Sequence, residues 1–351
     1  MPMSWRKRYA KRFNAHGIAP PFVPPQPDSR GMPLPKPCSR FSLMPPTQRC
    51  AKSFYLLPEW VTLMERWTGM PSHRLDLKGE HGGQFSAILY GRPGHLAQPR
   101  YMPYLGCEFV PTPSDHGHKV TLQWLDVAQQ FITELHKLGW KRWLTLPPEL
   151  TDMRPFRWAK ILPTPRYTYC IPATDLGNPV AWSRRIKRSI KNAQQEGYTV
   201  ERNEDLDAAC YNFKSTQQRQ DFDYAVSRQM LQEAMTVLGT ERFRLYNAYD
   251  KNRQPACSII VLYRAGAVVQ DWLAGTAAEH LKSGVTQLVR EVLFADLKQL
   301  DTAGFDFCGA NIPAVAAAKA EFGATLMPFY QLEPLNLRYL LKYAIQFLQP
   351  S

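Results

Sequence analysis

The spacing of apolar and polar positions divides the chain into a nearly patternless opening and a long patterned remainder. Leu57, Trp60, Val61, Met64 and Trp67 share one helical face, and Gly69-Met70-Pro71 stops that helix. Residues 73–77 and 85–90 flank Gly82-Gly83 and predict a hairpin. After a stiff aromatic loop at 99–106, the pattern predicts a long helix over 119–138 closed by Gly139, then strands at 141–146 and 167–171. A turn-rich joint at 175–179 follows. Beyond it come a basic helix over 182–196 and helices at 205–220 and 227–238. Strands are expected at 243–249, 257–263 and 268–274, with a helix over 284–300. A short strand at Phe305, a helix opening at Pro313 and a strand at 325–332 complete the order, and residues 335–348 read as an apolar terminal helix.

Length and composition sharpen this picture. A chain of 351 residues predicts two domains rather than one. The boundaries fall at 1–50 for an unpacked arm, 51–175, 176–335, and 336–351 for a terminal helix. The arm holds 11 of the 30 prolines, which favours extended backbone. Its Trp5, Tyr9 and Phe13 recur every fourth residue among Arg6, Lys7, Arg8, Lys11 and Arg12, a spacing that suits a short basic helix on a membrane surface. The net charge of +13 is mostly this arm: residues 1–52 carry ten Lys/Arg against Asp28, and the remainder 33 against 29 acids. Such an arm suits contact with anionic lipid or RNA, or simply a solvated leader. No uncharged apolar run approaches ~18 residues, and the opening has no apolar signal core, so neither a membrane span nor secretion is expected. Seven dispersed cysteines without a C-x-x-C pair read as reduced thiols in a cytoplasmic protein, peripheral to the membrane at most.

The stretch 305–323, FDFCGANIPAVAAAKAEFG, is the most informative. It reads as a buried strand on Phe305 and Phe307, a Gly-Ala-Asn turn, and a small-residue helix closed near Gly323. Lys319 is the one charge between Gly309 and Ala320. This shape resembles the last third of the FemAB-like transferases, a branch of the GNAT acyltransferase superfamily with BioF-type and CelD-like acetyltransferases. The resemblance covers about residues 50–335 and is best after Trp182, where WSRRIKRSIKNAQQEG is similar to the family's basic helix. The loop Pro103-Tyr104-Leu105-Gly106 is similar to part of its first half. Two departures stand out. Ala318 occupies a position that is usually aromatic, and Leu281-Lys282-Ser283-Gly284-Val285-Thr286 replaces the superfamily's acyl-CoA signature, with Leu281 at its first basic position and Thr286 at its last small one. The resemblance implies an α/β (α+β) fold of tandem GNAT-like domains, each a mixed, mostly antiparallel sheet flanked by helices.

It also implies where chemistry sits. In such a fold the joint between strand 268–274 and helix 284–300 cradles a pyrophosphate, so Lys282, Gly284 and Thr286 are candidate cofactor contacts. A helix N-terminus favours an anion by roughly 0.3–1 kcal/mol per charge. The resemblance places Lys319 facing substrate, where an ammonium can stabilise the oxyanion of an acyl transfer or, with its pKa lowered, move a proton. Asp306 and Asp271 lie inside apolar strand sequence (FDF, VVQDWL) and are candidates for a base or for a buried ion pair. Trp272 and Tyr104, with Tyr101, are candidate substrate platforms, and Asn311 a hydrogen-bonding residue of the turn. Arg219 and Tyr224 are cleft candidates by resemblance alone. Arg184, Arg185, Lys187, Arg188 and Lys191 offer a face for phosphates of tRNA or of a lipid-linked sugar. His116 and His118 have no third ligand at metal spacing, so no metal is expected.

Together these readings describe an acyltransferase that carries an acyl group to an amine on a small molecule, sugar or peptide, in cell-envelope or polysaccharide metabolism. No cofactor is held permanently. The donor is acyl-CoA, the superfamily default, or aminoacyl-tRNA, the FemAB precedent. A non-catalytic module recruited to membrane or RNA is the contrasting class.

Overall fold

The computed structural model describes residues 52–220 and 226–334. The expected basic arm, the expected terminal helix and Tyr224 lie outside them.

A short 3-10 turn (Phe54–Leu56) leads into α1 (Pro58–Thr68), which starts on its proline and ends at Gly69 in a left-handed conformation. Strands β1 (Ser72–Lys78), β2 (Gln84–Tyr90) and β3 (Cys107–Val110) form an antiparallel sheet turned at Gly82-Gly83, as the sequence predicts. Helix α2 (Gly117–Lys137) lays Trp124 and Phe131 against Phe85 and Phe109 of that sheet. Strand β4 (Leu144–Leu146), a one-turn helix α3 (Arg154–Trp158) and β5 (Ile161–Pro172) close the first half.

The second half contributes α4 (Arg184–Gln195), β6 (Thr199–Arg202), α5 (Leu206–Gln220) and α6 (Arg228–Leu238). The meander β7 (Phe243–Tyr249), β8 (Pro255–Leu262) and β9 (Val268–Thr276) follows. Then come α7 (Val285–Leu297), β10 (Gly304–Asp306), α8 (Pro313–Ala320) and β11 (Thr325–Pro334). Eight strands make one sheet in the order β4-β11-β5-β10-β9-β8-β7-β6. Strands from both sides of residue 175 therefore share a sheet, with β11 lying between β4 and β5. Within it β9 and β10 are parallel, whereas the other paired strands run antiparallel. The α/β class with mostly antiparallel sheets flanked by helices is as expected.

Strand alternation shows why both faces of the large sheet are covered. Cys257, Ile259 and Val261 pack with Ile186, Ile190, Val285 and Val289 of α4 and α7. Ile260 and Leu262 pack on the other face with Trp60, Phe213, Leu231 and Met235 of α1, α5 and α6. A strand buried on both sides reads as a nearly continuous apolar run, which is how 257–263 looks in the sequence apart from Ser258.

Candidate active site

The parallel pair β9 and β10 positions the site. The two strands share only three rungs, Gly304↔Val268, Phe305↔Val269 and Asp306↔Gln270, and then part. On one side the chain turns away at Cys308, whose φ of 52° is uncommon for a residue with a Cβ. On the other side β9 continues through a bulge: Val261 faces Asp271 and Ile260 faces Leu273, leaving Trp272 as the extra residue. The bulge reverses which face the following side chains address. Asp271 thus points to α7, while Leu273 joins the core under α1 and α5.

Charged groups gather where the strands part. Lys319 reaches back from α8 and donates to the carbonyls of Phe307 and Gly309, both at 2.7 Å, which ties down the turn after β10. Burial lowers its ammonium below the ordinary lysine value; the Asp271 carboxylate opposes that shift and Arg290 adds to it. Asp271 in turn forms an ion pair of 2.6 Å with Arg290 of α7, and both side chains are almost wholly buried. One oxygen, Asp271 Oδ1, and one nitrogen, Arg290 Nη1, have no partner among the described residues. The Arg290 guanidinium sits 4.8 Å from the ring centre of Phe307 and 5.7 Å from that of Phe305.

Asp306 lies on the opposite face and is 1% exposed. Its Oδ1 accepts from the Thr168 hydroxyl at 2.5 Å and the Cys308 N–H at 2.7 Å, and its Oδ2 from Tyr104 Oη at 2.8 Å. Burial raises this carboxyl above its ordinary value, against the pull of those three donors. Asp306 therefore joins β5, β10 and the 99–106 loop at one point. The Cys308 thiol donates to Gln270 Oε1 at 3.2 Å, on the same side.

The expected pyrophosphate loop lies at the far end of β9. Gly284 caps α7 with φ 86°, and a Cβ there would meet the Ser189 carbonyl oxygen of α4 at 2.1 Å. Only glycine tolerates both conditions. Gly284→Ala is expected to lower stability by on the order of 2–4 kcal/mol in chemical denaturation. A loss under 1 kcal/mol would show that α4 yields freely. Thr286 Oγ1 is 2.9 Å from Thr276 Oγ1, and Arg219 donates to the Thr276 carbonyl at 3.2 Å. Thr286 and Arg219 thus meet at the end of β9, and Lys282 stands exposed on the loop before α7. That loop is held by Tyr198 to His280 at 2.7 Å and by Tyr211 to Glu279 at 3.0 Å. The five cations of α4 are all exposed, with Arg185 paired to Glu321.

Other candidates are placed within the packing. The ring of Trp272 is enclosed by Trp60, Trp67 and Phe243, and its N–H donates to the Tyr101 carbonyl at 2.8 Å. Asn311 uses its amide to hold the Tyr167 backbone, accepting at 3.1 Å and donating at 3.3 Å. Sequence reasoning missed Tyr55, Thr168, Gln270, Cys308 and Arg290. For Arg290 a signal exists: it is a lone cation inside the apolar run of α7. Among the described residues no group of three or more His, Cys, Asp or Glu could hold a metal, and no helix is long and apolar enough to cross a membrane.

Residues 182–314 match the family described as an acetyltransferase (GNAT) domain. No curated protein matches the sequence. The fold is similar to that of FemX, with a TM-score of 0.58 at 13% identity, covering 81% of this chain and 93% of FemX. It is also similar to L-PGS from Bacillus licheniformis, with a TM-score of 0.51 at 10% identity, covering 86% of this chain and 99% of that one. A C-terminal domain of a putative lysylphosphatidylglycerol synthetase from Agrobacterium fabrum gives 0.52 at 10% identity, covering 80% and 88%. Residues 182–314 therefore match an acetyltransferase (GNAT) domain, and the chain shares its fold with FemX.

Proposed function

We propose that this protein transfers an acyl group from a CoA thioester to an amine at the point where β9 and β10 part. The observation that supports the reading is Lys319, half-buried beside the point where the strands part and held by two carbonyls. Two of its three N–H groups serve the turn after β10; the third is available to an oxygen in the cleft. In the reaction the amine nitrogen attacks the thioester carbonyl, and negative charge collects on the carbonyl oxygen. Lys319 stabilises that charge. The C–S bond then breaks, CoA leaves as a thiolate, and the amine gives up a proton, which passes by way of a base to that thiolate. Asp271, whose Oδ1 has no partner among the described residues, is the acceptor for that proton.

The donor's diphosphate would lie at the start of α7, met by Lys282, Arg219, Thr286 and the helix N-terminus around Gly284. The exposed cations of α4 add attraction from beside it. The test is a thermal-shift titration of the full chain with acetyl-CoA, followed by thiol release in the presence of a panel of amines. A ligand at 100 times its Kd stabilises the native state by about 2.7 kcal/mol, a shift readily seen. No shift with any CoA species would overturn the proposed donor and favour a non-catalytic module.

A further inference from the structure

We propose that β1 is the interface of a symmetric homodimer, in which it pairs antiparallel with β1 of a second copy of this chain, centred on Leu75. Such a dimer is independent of the transfer chemistry, because β1 belongs to the three-stranded sheet and the candidate site to the eight-stranded one.

Among the described residues four strands form sheet edges: β1 and β3 in the small sheet, β4 and β6 in the large one. Strands β3, β4 and β6 are only three or four residues long, and short edges are poor templates for another chain. Strand β1 runs for seven residues without a proline and pairs with β2 from Ser72↔Tyr90 to Lys78↔Gln84 without a bulge. Its backbone bonds alternate in direction. Just outside its two ends the Pro71 carbonyl accepts from Gly91, and the Gly79 N–H donates to Gly83. The odd-numbered residues between them therefore bond to β2, and the even-numbered ones turn their N–H and C=O outward. At the ends this outward row is already engaged: the Ser72 N–H donates to Glu65 at 2.8 Å, and the Lys78 carbonyl accepts from Gln130 at 3.2 Å. Between them the backbone groups of Arg74 and Asp76 have no partner among the described residues.

The side chains select a partner for that row. Arg74 and Asp76 are exposed on one face and pair with each other at 2.7 Å, and Ser86 holds the carboxylate at 2.7 Å. In an antiparallel pairing centred on Leu75, Arg74 faces Asp76 of the second copy, and Asp76 faces its Arg74. Both are positions whose outward N–H and C=O can be exchanged, so the backbone ladder and the opposite charges coincide. Leu75 then meets Leu75 at a rung without hydrogen bonds, where side chains come closest. Leu75 and Leu77, half-buried at the rim of the core beneath α2, would gain cover. No neighbouring register does this. A slip of one residue sets the outward groups against residues whose backbone already serves β2. A slip of two sets Arg74 against Arg74 or Asp76 against Asp76.

The test is analytical ultracentrifugation of the full chain, with its charges exchanged. The natural chain is expected to sediment as a dimer that dissociates on dilution through the micromolar range. Arg74→Asp makes both central positions acidic, and Asp76→Arg makes both basic. Each variant alone should weaken the dimer by roughly tenfold or more. An equimolar mixture of the two restores every opposite-charge pair and should reassociate as a heterodimer. The double variant, Arg74→Asp with Asp76→Arg, should recover the homodimer. Neither position bonds to β2 through its backbone, so both single variants should keep the far-UV spectrum and unfold near the midpoint of the natural chain. A monomer at every concentration, or a dimer that neither single variant weakens, would overturn the interface. A mixture that stays monomeric would overturn the pairing centred on Leu75.

Discussion

Lys319→Met is expected to reduce turnover by about 100- to 1,000-fold, the usual loss when one preorganised donor to a developing oxyanion is removed. The acetyl-CoA-dependent thermal shift should survive, because Lys319 lies away from the start of α7. Stability is expected to change less than activity. The carbonyls of Phe307 and Gly309 lose a donor, at up to about 1–3 kcal/mol where the group is left unsatisfied, while the desolvation penalty of a half-buried ammonium disappears. The pH dependence has a definite sign. Burial depresses Lys319 in the folded chain, so between that lowered value and the ordinary lysine value the unfolded chain holds more protons. Through this group stability rises with pH across that window. Activity, which needs the ammonium, falls across it. An alkaline fall in kcat is the signature to seek in wild type; turnover within threefold of wild type in Lys319→Met would remove this residue from the mechanism.

The second large effect is on the ion pair beneath the cleft. Arg290→Met leaves the Asp271 carboxylate buried without its cation and is expected to cost about 3–5 kcal/mol in urea unfolding. Adding Asp271→Asn removes the stranded charge, and the double variant should recover most of that loss. Activity should not return with it, since the proton acceptor is gone. This divergence separates the two roles of Asp271. If the double variant regains both stability and turnover, Asp271 serves packing alone. A single-variant loss under 1 kcal/mol would mean that solvent reaches the pair.

How much of this was legible beforehand depended on periodicity and on burial. The meander β7–β9 and helix α7 stood out because long apolar runs with clear turns leave few alternatives. Strand β5 was seen only over 167–171, since Pro163 and Pro165 argue against a strand interior. Its pairing explains their presence: β10 reaches only Cys170–Pro172, so both prolines sit where β5 has a strand on one side only. Strand β6 has a half-exposed pattern without apolar alternation, and α3 is a single turn, so neither announces itself. At the candidate site, carboxylates inside apolar strands single out Asp271 and Asp306, and Lys319 stands out as a lone charge that only the resemblance places toward substrate. The bulge at Trp272 has no sequence signature, and the sequence alone suggests a platform where the fold makes that ring the hub of an aromatic cluster. Tyr55 and Thr168 matter only through what the distant β10 brings beside them, which no local window contains.

The insertion of β11 between β4 and β5 has a consequence for how the molecule is made. Among the described residues strand β4 has no partner in the large sheet but β11, and most of β5 waits for the same ten residues. As the chain leaves the ribosome, these earlier strands emerge about 160 residues before their neighbour exists. Closing so long a loop is slow, and until it closes β5 presents unpaired backbone along an edge. The prolines at 163 and 165 then have a second value, as residues that make that waiting edge a poor template for another chain.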